Sequence, residues 1–207
     1  MIKKIFGLLL TSSLILLFDS KISSFPPLGK FLSPSTGYIA LIHSDSLPQG
    51  NIIFTGLNDN VEVVWDSLRI PHIFASNEHD LFYMQGYLTA FERLWQMEFQ
   101  THAAAGRLSE IIGSKALGYD RFQRRIGMVY GAKNTLDEVK KDSLTYSKLI
   151  AYTNGINKYI ESLDNNRLPL EYKILDYKPE KWTPLKTCLL LKKMAWTLTG
   201  RSKDLVY

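Results

Sequence analysis

Only one cysteine, Cys188, stands in the 207-residue chain, so no internal disulfide can staple it. It lies in an apolar stretch of helical spacing and reads as a small buried core residue. Its distance from the N-terminus excludes a lipid-bearing cysteine just after a leader. Self-contained catalytic signatures are lacking too. There is no G-x-S-x-G, no P-loop, no H-E-x-x-H, no C-x-x-C and no Rossmann glycine run. The chain has no internal repeat and no low-complexity block. It also lacks a basic stripe interleaved with aromatics. The net charge of +5 and the pI of about 9.1 therefore describe a mildly basic surface, and no nucleic-acid partner is expected. Histidine is scarce: His43, His72, His79 and His102 bring no third donor at a metal-binding spacing. His72, directly after Pro71, reads as a structural hydrogen-bonder.

What is present is enough for a folded body. Hydrophobic residues make up 45% of the chain and charged residues 22%, which suits one ordinary domain with a real core and argues against disorder. Residues 1–20 carry Lys3-Lys4 ahead of the apolar run Ile5 to Phe18, a pattern of a secretory signal or an uncleaved membrane anchor. Either places the remainder of the chain outside the cytoplasm, in the periplasm or anchored facing it. Residues 21–56, with Pro26-Pro27, Pro34 and Pro48, read as an extended lead-in.

From residue 57 to 207 the pattern changes. Val61, Val63 and Trp65 alternate with Glu62 and Asp66 as in a half-buried strand. Ile70 to Ala75 is a second β-like run that Pro71 confines to an edge or a bend. Asn77 is a helix N-cap, with Glu78 and Asp80 in the first turn, and the spacing of Met84, Leu88, Phe91 and Trp95 predicts a long helix stopped at Gly106. A short piece ends at Gly113. Further helices are expected within Met128 to Lys141 and from about Ser147 to Leu163, and Asp164 to Asn166 form a turn. Residues 168–183 read as an ordered loop. Thr183-Pro184 opens a last helix that reaches Thr199 and stops at Gly200. Two strands make no stable sheet alone, so the strands call for partners from elsewhere.

Of the carboxylates, Asp66, Glu92, Glu98 and Glu110 stand out. Arg93 is expected in a buried or half-buried ion pair, with Glu98 as one partner. Ser109 has no visible base and reads as a helix-capping residue.

Four stretches, taken together and in order, resemble the penicillin acylase (penicillin amidase) family of N-terminal-nucleophile hydrolases. They are VEVVWDSLRIPHIFA from Val61, DLFYMQGYLTAFERLWQME from Asp80, GRLSEIIG from Gly106 and LPLEYKILDYKPEKWTP from Leu168. The likeness runs from about residue 57 to 207. Glu92 replaces the family's usual Asp before Arg93. The resemblance implies an α+β fold: this chain would be the mostly helical part of a four-layer αββα sandwich, incomplete by itself. It implies an exported precursor cut into α and β chains, with a serine at the new β N-terminus whose α-amino group acts as base through a water. The substrate would be a small N-acyl amide and the partner the β portion of the same precursor. No residue here matches the nucleophile, so no catalytic residue is assigned.

Two supporting roles derive from the resemblance. Met194 matches the methionine of the helix bordering the acyl pocket, while Thr197 and Leu198 stand where the family has an Arg-Phe pair. An aromatic acyl group is then not implied, and Trp196 adds bulk nearby. The competing reading makes Met194 and Leu198 plain core residues. Asp204 falls near an acidic calcium ligand of the family. Calcium takes 6–8 oxygens, so the rest would come from the β portion. No organic cofactor is expected. The alternative to an enzyme portion is a non-catalytic fragment serving as a binding or structural partner.

Overall fold

The structure, a computed structural model, describes residues 2–20, 27–29, 50–164 and 167–199. Most of the 21–56 lead-in, the turn residues Asn165 and Asn166, the helix stop Gly200 and the calcium-ligand candidate Asp204 lie outside the described residues.

The chain divides into two units. The first, Met1–Gly50 with Asp164–Lys178, contains helix α1 (Ile2–Asp19). Among the described residues no helix is long and apolar enough to cross a membrane. The second unit, Asn51–Leu163 with Pro179–Tyr207, begins with strands β1 (Val61–Trp65) and β2 (Pro71–Ala75). Helices α2 (Glu78–Ala105), α3 (Ser109–Ile112), α4 (Leu117–Ile126), α5 (Met128–Val139) and α6 (Ser143–Ser162) come next. Helix α7 (Leu170–Leu175) belongs to the first unit, and α8 (Pro184–Leu198) closes the second.

The strands pair antiparallel, from Val61 opposite Ala75 to Trp65 opposite Pro71. Alternation holds in both: Val61, Val63 and Trp65 are half-buried, while Glu62 and Val64 face outward. The Asp66 carboxylate builds the turn, accepting from the backbone N–H of Leu68 and of Ile70, each at 2.9 Å. His72 Nε2 lies 3.4 Å from the same carboxylate, the structural role expected of it.

Asn77 caps α2, its side chain accepting from the Asp80 N–H at 2.9 Å. Gly106 ends the helix at φ 67, ψ 49, a left-handed conformation that costs a glycine little. The helix is broken at Arg93, where φ −143, ψ 20 is non-helical. Its first half packs on α6 through reciprocal glycines. A Cβ on Gly86 would strike the backbone of Tyr152, and one on Gly155 the backbone of Tyr83. Only hydrogen at both positions lets the two helices approach this closely. The second half joins α5 and α8 in a small core of Ala104, Ala132, Cys188 and Leu189. Cys188 is buried, as expected.

Several sequence expectations shift. Helix α6 starts at Ser143 under an Asp142 cap, four residues before the expected Ser147, because the Asp142 side chain accepts the Leu144 N–H. Helix α4 was not expected. Its apolar residues are few, and Phe122 and Leu117 are exposed. The expected loop 168–183 holds the single-turn helix α7, ended by Asp176 at φ 55. Helix α8 does begin at Pro184 behind Thr183, although the Thr183 side chain makes no capping hydrogen bond.

Candidate functional site

Two helix faces meet in a groove of about 390 Å³. From the second half of α2 come Arg93, Gln96, Met97 and Gln100; from α8 come Leu190, Lys193, Met194, Thr197 and Leu198. Both sets fit the three- and four-residue steps that put side chains on one helical face. All three residues matched to the acyl pocket therefore stand on one wall. Met194 is 60% exposed and Leu198 81%, so neither is a core residue among the described residues. Trp196 does not line the groove. Two residues from Met194 and Leu198, it projects from another side of the helix. The Thr197 hydroxyl donates to the Lys193 carbonyl one turn back, at 2.9 Å. Lys193 Nζ donates to the Tyr119 hydroxyl at 3.1 Å, which directs its charge toward α4.

Beneath the groove lies a polar network that the sequence did not reveal. Glu98, 1% exposed, accepts from the Glu180 N–H at 2.7 Å and faces Lys186 Nζ at 3.5 Å. Glu180 in turn pairs with Lys186 at 3.0 Å and accepts from the Arg107 guanidinium at 2.6 Å. Arg107 also forks onto Glu110, at 2.9 and 2.6 Å. The Arg107 hydrogen bonds hold the Glu180 carboxyl at about 2, with Lys186 assisting and partial burial opposing. The same guanidinium lowers the Glu110 carboxyl, against partial burial.

The expected Arg93–Glu98 pair is not formed. Arg93 is exposed and donates to Gln96 at 3.2 Å; it stands five residues from Glu98, a step that does not put two side chains on one helical face. The neighbouring Glu92 is exposed as well.

His102, Glu110 and Glu180 bring ligand-type atoms within 4.8 Å of one another. A divalent ion there would have to displace the Arg107 guanidinium, which already lies against both carboxylates. With Lys186 adding a second positive charge, the set does not fit a cation.

Two further buried groups hold the site's scaffold. Asp80, 0% exposed, accepts from the backbone N–H of Asn58 and Asp59 and from the Asn77 side chain, at 2.8 to 3.1 Å. Burial pushes its carboxyl up, but these bonds and His79 outweigh burial and hold it at about 2. Asp120 caps α3, accepting from the N–H of Leu108 and Ser109 and from the Ser109 hydroxyl, so Ser109 is tied into the capping arrangement. Charge in a first helical turn was the only signal for Asp80. For Glu98 a signal existed: an acidic residue between Met97 and Phe99 on an otherwise apolar stretch.

Sequence and structure comparisons agree on what this chain is similar to. The sequence profile described as penicillin amidase matches residues 60–206. A penicillin acylase 2 proenzyme from a Pseudomonas species is 32% identical over 145 residues, 70% of this chain and 18% of the relative. An acyl-homoserine lactone acylase, QuiP, from Pseudomonas syringae is 29% identical over 150 residues, 72% of this chain and again 18% of the relative. The chain thus spans under a fifth of the length of these relatives. Among solved structures, a thermostable penicillin G acylase from Alcaligenes faecalis superimposes with a TM-score of 0.61 at 25% identity, covering 70% of this chain and 77% of that one.

Proposed function

Because this chain belongs to the penicillin amidase family, we propose that it is the amino-terminal portion of an exported amide hydrolase that cleaves linear N-acyl amides. The reaction runs through an acyl-enzyme on a serine supplied beyond these 207 residues. That serine's α-amino group, through a water, takes the hydroxyl proton as the oxygen attacks the amide carbonyl, and returns it to the leaving amine. Water then releases the acid. What this chain contributes is the acyl side of the site.

The observation that carries this reading is the groove. Met194, Thr197 and Leu198 line it together, on a face open to solvent and rich in apolar side chains. An acyl chain laid there is removed from water, at a gain of about 25 cal/mol per Å² of apolar area buried. Relatives named as penicillin and acyl-homoserine lactone acylases support an N-acyl substrate. In this reading the two-stranded sheet and the helices are part of a four-layer αββα sandwich. The outward side chains Val64 and Phe74 support that assembly, because a β portion would cover them. Asp204 would supply one hard oxygen ligand to a calcium ion, the remainder coming from the β portion. Residues 1–20, with Lys3-Lys4 ahead of the apolar run, direct export.

The test uses the full-length processed enzyme and a series of N-acyl anilides of increasing chain length. Leu198→Trp should fill the groove and lower kcat/KM for long acyl groups at least about tenfold more than for acetyl. An unchanged acyl profile overturns the groove assignment. Anilide turnover by the isolated 207-residue chain would overturn the placement of the nucleophile elsewhere.

A further inference from the structure

We infer that Glu98 is a positioning residue for acyl selectivity: its buried carboxylate joins the two groove-forming helices and sets the width between them. The inference rests on the groove being the acyl site.

Glu98 itself is not among the groove's lining residues, whereas its helix neighbours Met97 and Gln100 are. Its carboxylate points the other way, into the interior, where it takes the Glu180 N–H at 2.7 Å and faces Lys186 at 3.5 Å. Lys186 lies in the first turn of α8, one turn before Leu190, the first α8 residue in the groove wall. The approach to α8 is thus tied to α2 by Glu98. It is tied to α6 as well, since Asn157 hydrogen-bonds both the N–H and the carbonyl of Trp182.

Helix geometry turns this joint into a lever. Eight residues at about 1.5 Å each put Met194 about 12 Å along α8 from Lys186, so a tilt of about 5° displaces it by about 1 Å. The break at Arg93 makes the other wall a separate piece, and Glu98 belongs to that piece. A shift of that size changes how a chain fits between the walls without moving any group that reacts.

Glu98→Gln keeps an acceptor for the Glu180 N–H and removes the charge facing Lys186, which retains Glu180 as a partner. In the processed enzyme it should raise KM for the best acyl group about tenfold and flatten the chain-length profile, with kcat within about threefold. Glu98→Asp, which keeps the charge, should restore part of the profile. If Glu98→Gln does not fold, Lys186→Met carries the same expectation from the other side of the joint. A uniform loss across all chain lengths, with a lowered Tm and no rescue by Asp, would leave Glu98 a stabilising residue only and overturn the inference. Leu198→Ala, run in parallel, separates the two readings. If it leaves the profile unchanged, the groove is not the acyl site. If it alters the profile and the Glu98 and Lys186 variants do not, the groove stands and the positioning role falls.

Discussion

Asn157 and Trp182 exchange two hydrogen bonds deep in the second unit. The Trp182 N–H donates to Asn157 Oδ1 at 2.7 Å, and Asn157 Nδ2 donates to the Trp182 carbonyl at 3.0 Å. A side-chain amide on α6 thus does for one residue's backbone what a neighbouring strand would do, and it fixes the segment that leads into α8. Asn157→Ala leaves that N–H and that carbonyl buried and unpaired. The expected loss is about 2–6 kcal/mol, from two buried groups at about 1–3 each, read from the shift in urea midpoint. Asn157→Asp should fare little better, because a carboxylate cannot donate to the carbonyl.

The reciprocal glycines of α2 and α6 give a sharper contrast. Gly155→Ala and Gly86→Ala each drive a methyl into the facing helix backbone, which has no flexible end to yield. Each should cost more than about 3 kcal/mol or abolish soluble protein. Gly118, in α4, meets nothing within 4 Å, so Gly118→Ala should stabilise by about 0.5 kcal/mol. Thermal melts of the three variants check both signs.

Acid stability should report on Asp80. Its folded carboxyl is held at about 2, below the ordinary 3.8. A depressed folded value means that its contribution is complete above the unfolded pKa and is lost as pH falls from about 4 toward 2. Asp80→Asn should be less stable at pH 7, since its amide presents hydrogens to the donors that now reach the carboxylate. The gap between the variant and the parent should narrow over that pH window. A constant gap from pH 7 to pH 2 would show that charge at Asp80 is not what the network holds.

Cys188 should be chemically silent in the folded protein. It is buried in the α2–α5–α8 core, and burial pushes its thiol pKa up. A thiol reagent at pH 8 should react no faster than that core opens, and at the full rate in urea.

If the groove is the acyl site, acyl preference should track Thr197 and Leu198, which the resemblance sets against an Arg-Phe pair. Restoring the Arg-Phe pair with Thr197→Arg and Leu198→Phe puts an aromatic ring on the groove wall. In the processed enzyme, phenylacetyl anilide should gain about tenfold in kcat/KM relative to a linear acyl anilide, the scale of a well-filled apolar pocket.

Much of the local structure was legible in the chain. The alternation of β1 and β2, the Asn77 cap, the Gly106 stop and the Pro184 start of α8 are set by side-chain period and by backbone preference, and both act within a few residues. The four ordered motifs carried the family. Helix α4 was missed although Tyr119, Phe122 and Ile126 recur at helical steps, because the segment is only ten residues long and mostly polar, and what it buries is Asp120 and Gln123. The pairing of Glu98 was also missed, because its partners lie 82 and 88 residues further along the chain. Glu98 was expected as one partner of Arg93, yet the two stand five residues apart, outside the three- and four-residue steps that bring side chains together on a helix. The break at Arg93 carries neither proline nor glycine to announce it. Tertiary structure alone decided that Met194 and Leu198 leave the core for a groove, since the sequence spacing fits either use. Which face of α8 is covered depends on how α2 and α5 pack against it. A helix can specify its own stripe of side chains, but only its neighbours decide which stripe stays open to a ligand.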